Sequence, residues 1–312
     1  MKTKIVTDSH SSVNPKVAKK LGIEVLPMPF CIDGLEYFEG ITVTRKKFFE
    51  QLEAGAQVST SQPSPIQVMK LWDRVLQTAD ELVYLPISSG LSGACATASA
   101  IALAPEYAGR VHVVDNGRIA MPQYRTVLDA VELAEAGYAG WQIKSILERT
   151  KDDFSIYISL DTLEYLKRGG RISATTAVVG SMLNIRPVLS LGGGLLESKK
   201  NVRGMKKAKR ASLDLLQEDV QGRFAAQAEA GALRFLAAGT ADPKTTKEWI
   251  GEIRANFGGA AVHYAPLSLG ISCHTGEGAL GCGCVCIPDE VLEVERERKP
   301  LHIVRLINKL RA

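Results

Sequence analysis

The six residues Ser88-Ser89-Gly90-Leu91-Ser92-Gly93 constrain this chain most, because of what flanks them. Before them runs an apolar segment, residues 82–87, that reads as a buried strand; after them a run of small residues, 94–104, reads as a helix. A strand that enters a helix through a short Ser/Gly loop belongs to an alternating α/β layer. At such a junction the first helical N–H groups lack intrahelical partners and carry the positive end of the helix dipole, which favours an anion. Gly90 and Gly93 let the backbone turn and come close to a ligand, and the hydroxyls add donors that the backbone cannot aim. The loop reads as the seat of a small anionic group or as a turn whose serines cap the helix.

The rest of the first half repeats the alternation. A strand at 4–8 ends in Thr7-Asp8, and Asn14-Pro15 supplies a helix cap and a first-turn proline, with Gly22 closing that helix before a strand at 23–26. Asp33-Gly34 between residues 30–32 and 35–38 is hairpin chemistry. The string Thr60-Ser61-Gln62-Pro63-Ser64-Pro65 is extended and feeds a helix through a Ser64/Gln67 capping box, which leaves the hydroxyls of Thr60 and Ser61 upstream of the cap. A strand at 111–115 and helices over 119–136 and 141–152 follow, so the first lobe is expected to hold a parallel sheet flanked by helices. Ligands of such sheets bind beyond the carboxyl ends of the strands, where Ser88 to Gly93 lies.

The second half changes character. After a strand at 154–158, Asp161 and Glu164 are placed to cap a short helix that runs into Leu166-Lys167-Arg168-Gly169-Gly170-Arg171-Ile172. Segments 185–191 and 195–199 flank Gly192-Gly193-Gly194, which implies antiparallel pairing. A helix at 204–218, a strand at 233–238, a helix at 244–255 and a strand at 261–265 complete an α+β lobe. The reading is one two-lobed α/β unit over 3–286, made of an N-terminal lobe (1–158) and a C-terminal lobe with a largely antiparallel sheet (159–286). Residues 287–312 form a charged extension of unassigned role.

A length of 312 residues suits two lobes, and a net charge of +4 argues against wholesale nucleic-acid binding. The N-terminus lacks a signal-peptide apolar core and no run approaches the ~18 apolar residues of a membrane span, so the expectation is a cytoplasmic protein without stable membrane insertion. Cys282, Cys284 and Cys286 alternate along one strand face; with no paired C-x-x-C they read as small buried hydrophobes, and no metal site is expected. Gly276, Gly278 and Gly281 fit G-x-G-x-x-G, but a strand follows them where a dinucleotide fingerprint needs a helix. No P-loop is present, so no ATP cradle or other cofactor is expected.

His274, read near a strand end and among glycines, is a candidate site residue. Ser92 and His274 could form a nucleophile and base, making a hydrolase or acyltransferase the alternative function. Against it, the loop is not a G-x-S-x-G elbow and no carboxylate is evidently placed to orient the imidazole. Arg203, Lys206, Lys207 and Arg210 fall on one helix face, and no acidic residue interrupts 199–210. That face reads as a docking surface for an acidic or phosphate-bearing partner.

Several strings now stand in order: Thr7-Asp8-Ser9, Thr60-Ser61-Gln62-Pro63-Ser64, Ser88-Ser89-Gly90-Leu91-Ser92-Gly93, 166–172, Asn184-Ile185-Arg186-Pro187-Val188-Leu189, and His274 before Gly-x-Gly-Ala. With these the sequence resembles the DegV family, bacterial fatty-acid-binding proteins that include the lipid-binding subunits of fatty acid kinase. The resemblance covers about residues 3 to 286. It implies a buried tunnel for one long-chain fatty acid, whose carboxylate is held by Thr60, Ser92 and His274. Ser61, Ser89, Gly90, Gly93 and Gly276 would support the surrounding loops. It further implies a non-enzymatic subunit: a separate ATP-binding kinase subunit would phosphorylate the acid, docked through Arg171, Arg203, Lys206, Lys207 and Arg210. The chain departs from the family pattern at Ala94-Cys95-Ala96, where Thr-Tyr-Gln is usual and smaller residues would widen or redirect the tunnel. It departs again at 116–122, where a Gly-rich string is usual. At Glu277, where proline is usual, a negative charge would fall near the carboxylate.

Overall fold

A computed structural model describes residues 1–173, 176, 185–192 and 195–297. Asn184, the turn residues Gly193 and Gly194, and residues 298–312 of the extension lie outside that set.

The first lobe contains, in order, β1 (Thr3–Asp8), a 3-10 turn (Ser9–Ser11), α1 (Pro15–Leu21), β2 (Glu24–Leu26), β3 (Phe30–Ile32), β4 (Leu35–Tyr37), α2 (Arg45–Glu53) and β5 (Val58–Thr60). It continues with α3 (Pro65–Leu76), β6 (Glu81–Leu85), α4 (Ala94–Ile101), β7 (Val111–Val113), α5 (Ala120–Glu135) and α6 (Gly140–Arg149). Local chemistry sets the boundaries: Asn14 and Ser64 accept from the first-turn N–H groups of α1 and α3, each followed by proline. Asp33 and Gly34 both adopt positive φ, as a two-residue hairpin turn requires. The main sheet is parallel, in the order β2-β1-β6-β7, and β4-β3-β5 forms a small antiparallel sheet beside it.

The second lobe holds β8 (Phe154–Ser159), α7 (Glu164–Gly169), β9 (Ile185–Gly192), β10 (Leu195–Arg203), α8 (Met205–Gln221), α9 (Ala225–Glu229), β11 (Leu233–Gly239), α10 (Pro243–Asn256), β12 (Val262–Pro266), α11 (Leu269–Thr275), β13 (Leu280–Cys286) and α12 (Asp289–Glu297). Its six-stranded sheet runs β10-β9-β8-β13-β11-β12, antiparallel except for the β11/β12 pair. The expected boundary after residue 158 falls too late. β8 hydrogen-bonds β13 and β9, so it belongs to the second sheet. α7 is not capped by Asp161 and Glu164 as expected; the Thr162 hydroxyl accepts from the Glu164 N–H instead.

Two features join the lobes. Helix α5 is buried on all sides: Val127, Ala130 and Val131 enter the first-lobe core, while Met121 packs with Leu236, Ala265 and Val285 of the second. A helix buried all round carries polar groups only if they pair. Arg125 accordingly meets Asp129 at 2.5 Å and Glu132 at 3.1 Å. The start of the extension then returns to the first lobe, placing Ile287, just before α12, and Val291, within it, in the first-lobe core and Glu295 against Arg234 of β11 at 2.7 Å.

Candidate functional site

Thr60 is the last residue of β5, held in register opposite Phe30 by the small sheet. His274 lies in the last turn of α11, a short helix capped by Ser268 and closed by Gly276 at positive φ. This differs from the strand-end reading, because the apolar run before His274 is a buried helix too short to show a helical period. The two side chains meet: Thr60 Oγ1 and His274 Nε2 are 2.8 Å apart. Gly169, at the end of α7, allows the meeting. A Cβ there would sit 2.1 Å from His274 Nδ1, so the Gly169-Gly170 pair is glycine partly to make room for the imidazole.

Ser92 comes to the same place from the first lobe. The loop after β6 is fastened at Ser88, whose N–H donates to the Arg118 carbonyl and whose carbonyl accepts from Leu91 and Ser92. Asp8, at the end of β1, is wholly buried and accepts from the Ile87 N–H at 2.7 Å and from Gln123 Nε2 at 3.3 Å. Burial pushes its pKa up to about 6 despite those bonds. Gly93 lies close to the Thr60-to-Ser64 string: a Cβ there would lie 2.8 Å from Gln62 Oε1. Two distant sequence strings are thereby pressed together.

Thr60, Ser61, Ser92 and His274 all line one cavity formed by both lobes. Beyond them its walls are mostly apolar: Ile87, Ile119 and Met121 from the first lobe, and Ile156, Ile158 and Leu236 from the second, among others. Ser89 is turned away and bonds Asp115 Oδ2 at 2.6 Å, Gly90 and Gly93 shape the loop, and Gly276 turns the chain while its carbonyl accepts from Thr240. Ala94 and Cys95 face neighbouring cores and do not line the cavity, so these smaller residues are not its walls. Glu277 is exposed on the Arg45 side and is not part of the lining.

Arg171 is not on an outer docking face. Its guanidinium lines the cavity, donating from Nε to the Leu91 carbonyl at 3.3 Å and from Nη1 to the Gly169 carbonyl. The cage therefore has a cation beside its neutral donors. Burial, and then Arg171, lowers the His274 pKa to about 4, so the imidazole is neutral near pH 7. Arg203, Lys206, Lys207 and Arg210 are exposed at the β10–α8 corner, and Arg210 pairs with Asp214 at 2.9 Å. One cavity residue was not picked out from the sequence: His10, directly after Thr7-Asp8-Ser9, is buried and lines the wall. Among the described residues there is no group of three or more metal-ligating side chains, and no helix long and apolar enough to cross a membrane.

A largely apolar cavity shared by a parallel α/β lobe and an antiparallel lobe, lined also by hydroxyls, imidazoles and a guanidinium, is the form of a small-molecule site. Residues 2–286 match the model of the DegV family, and this chain belongs to that family. A DegV domain-containing protein of Deinococcus radiodurans is 34% identical over 284 residues, 90% of this chain and 97% of that one. A DegV family protein from Thermus thermophilus whose structure describes fatty acid binding superposes with a TM-score of 0.81 at 32% identity, covering 92% of this chain and 100% of its own. DegV of Bacillus subtilis, a fatty acid binding protein, superposes with a TM-score of 0.79 at 26% identity over 91% of this chain and 99% of its own.

Proposed function

We propose that this protein binds one long-chain fatty acid, its tail in the apolar cavity and its carboxylate among Thr60, Ser92 and His274. The observation that carries this reading is that those side chains, from β5, the loop after β6 and α11, line one cavity whose other walls are mostly hydrocarbon, with Thr60 and His274 in contact. An alkyl chain gains by leaving water for such walls, and its head group needs hydrogen-bond donors to offset desolvation. Arg171 adds a favourable field, and two of its five N–H donors, on Nε and Nη1, are already engaged by backbone carbonyls. A carboxylate held by single donors keeps a lone pair available for attack on a phosphoryl group. Phosphorylation of the bound acid by a separate ATP-dependent kinase subunit is thus part of the proposal, with Arg203, Lys206, Lys207 and Arg210 as its docking face. The hydrolase alternative has little support: His274 Nδ1 finds no carboxylate among the described residues, and its ring abuts Gly169 instead.

Native mass spectrometry of protein purified from bacteria should show one bound acid of C14 to C18, and Thr60→Val combined with Ser92→Ala should lower its occupancy about tenfold or more. A serine-directed probe should leave Ser92 unlabelled. Labelling of Ser92 with no lipid bound would overturn the reading in favour of the hydrolase. Lys206→Glu with Lys207→Glu should abolish acyl-phosphate formation by a kinase subunit while leaving lipid occupancy intact.

A further inference from the structure

The cavity contains a second imidazole that a plain alkyl chain would leave unused. His10 sits in the 3-10 turn after β1 and is 6% exposed. That turn is tied down: the His10 N–H donates to Asp8 Oδ1 at 2.9 Å, Ser11 Oγ donates to the Asp8 carbonyl at 2.7 Å, and Ser9 Oγ accepts from the Met28 N–H at 3.0 Å. The ring is held against Gly270, where a Cβ would lie 2.5 Å from Nε2. It lines the cavity; its Nδ1 is sealed within the protein, and no hydrogen bond from a described residue engages Nε2, the ring nitrogen beside Gly270.

The position of His10 relative to His274 follows from helix α11. Gly270 and His274 are four residues apart and share a helix face. His10 packs on Gly270, so its ring stands about one helical turn from His274 along that face. Burial, with His274 and Arg171 nearby, lowers its pKa to about 3, so near pH 7 the ring is neutral and offers one donor and one acceptor. A methylene chain lying against it would bury that capacity unused. A hydroxyl, being both donor and acceptor, satisfies it in either tautomer.

We propose that the preferred ligand is a long-chain acid bearing a hydroxyl within the first few carbons of its carboxyl group, and that His10 hydrogen-bonds this hydroxyl. This rests on the fatty-acid reading above and narrows its ligand class. One helical turn, ~5.4 Å, spans roughly four carbon–carbon bonds, which places the hydroxyl on the second to fourth carbon.

The test is titration of delipidated protein with palmitate, 2-hydroxypalmitate and 3-hydroxypalmitate, using wild type, His10→Phe and His10→Gln. Wild type should bind one hydroxy acid about tenfold or more tighter than palmitate, because a site that pairs a hydroxyl discriminates strongly against the analogue lacking it. His10→Phe should erase that preference by weakening the hydroxy acid alone, and His10→Gln, which keeps a donor and an acceptor, should restore part of it. Equal affinity of wild type for all three acids, or a preference that survives His10→Phe, overturns the role of His10 and leaves the fatty-acid reading standing. Failure of wild type to bind any of the three overturns both.

Discussion

The two faces of β13 share a backbone and differ in nearly everything else. On one face Cys282, Cys284 and Cys286 are buried against Trp249 and Ile253 of α10 and Leu216 of α8, a packed layer in which no disulfide forms and in which, of these three, only Cys282 also borders the cavity. On the other face Gly281 and Gly283 stand opposite Ile158 and Ile156 of β8 and line the cavity. The filled face is covered by helices of its own lobe. The open face is roofed by α5, which arrives from the other lobe with Met121 and Pro122 over the sheet. A cavity here thus needs no special strand; it needs side chains withheld from one face and a roof supplied from elsewhere.

That contrast can be broken by mutation, most severely at Gly283. A Cβ there would lie 2.2 Å from the Ser155 carbonyl oxygen, which is backbone of the neighbouring strand and cannot give way. Gly283→Val should cost about 3 kcal/mol or more in chemical denaturation, by overpacking at the β8–β13 pair. On the filled face, Cys284→Ser places a hydroxyl in an apolar layer and should cost about 2 kcal/mol, with lipid occupancy unchanged in native mass spectrometry. Lost occupancy would show that the two faces are coupled.

Acid sharpens the contrast, because the histidines that burial holds neutral lie on the cavity side. Burial pushes the Cys286 thiol up to about 12, so the filled face is silent. His10 is held to about 3 in the folded protein against an ordinary value of 6.5, so between those values the unfolded chain binds the extra proton and stability falls as pH drops. At pH 5.5 this removes about 1 kcal/mol relative to pH 7.5; His274, held to about 4, adds a fall of similar size, so His10→Phe should reduce the fall in thermal denaturation of the lipid-free protein by about that 1 kcal/mol. Asp8 acts in the opposite sense between its ordinary value and about 6, and it is common to both proteins compared. The smallest effect is expected at Gly281, where a Cβ would lie 3.3 Å from the Ala238 carbonyl oxygen. Gly281→Ala should cost under about 1 kcal/mol yet shift the bound acid toward shorter chains, read by mass spectrometry of the extracted lipid.

How far the site could be read before folding depended on whether its cause was local. The Ser/Gly loop after β6 and the capped, proline-marked start of α3 follow from hydrogen-bonding and φ preferences that act within a few residues. Thr60, Ser61, Ser92 and His274 could be singled out as site residues because their strings are compact, and all four reach the cavity. Ser89 could not be separated from Ser92 in the sequence: both are loop serines, and only Asp115, in the loop after β7, turns one of them outward.

Element type and order, the parallel character of the first lobe, and the alternation that puts three cysteines on one face were determined by the sequence alone, since these rest on periodicity and turn chemistry. Tertiary structure alone decided that β8 joins the second sheet, that His274 is on a helix, that Arg171 faces inward, and that His10 reaches the cavity at all. Each of these depends on a partner dozens to hundreds of residues away. No local preference encodes which distant backbone carbonyl a guanidinium will meet, or which glycine will leave room for an imidazole.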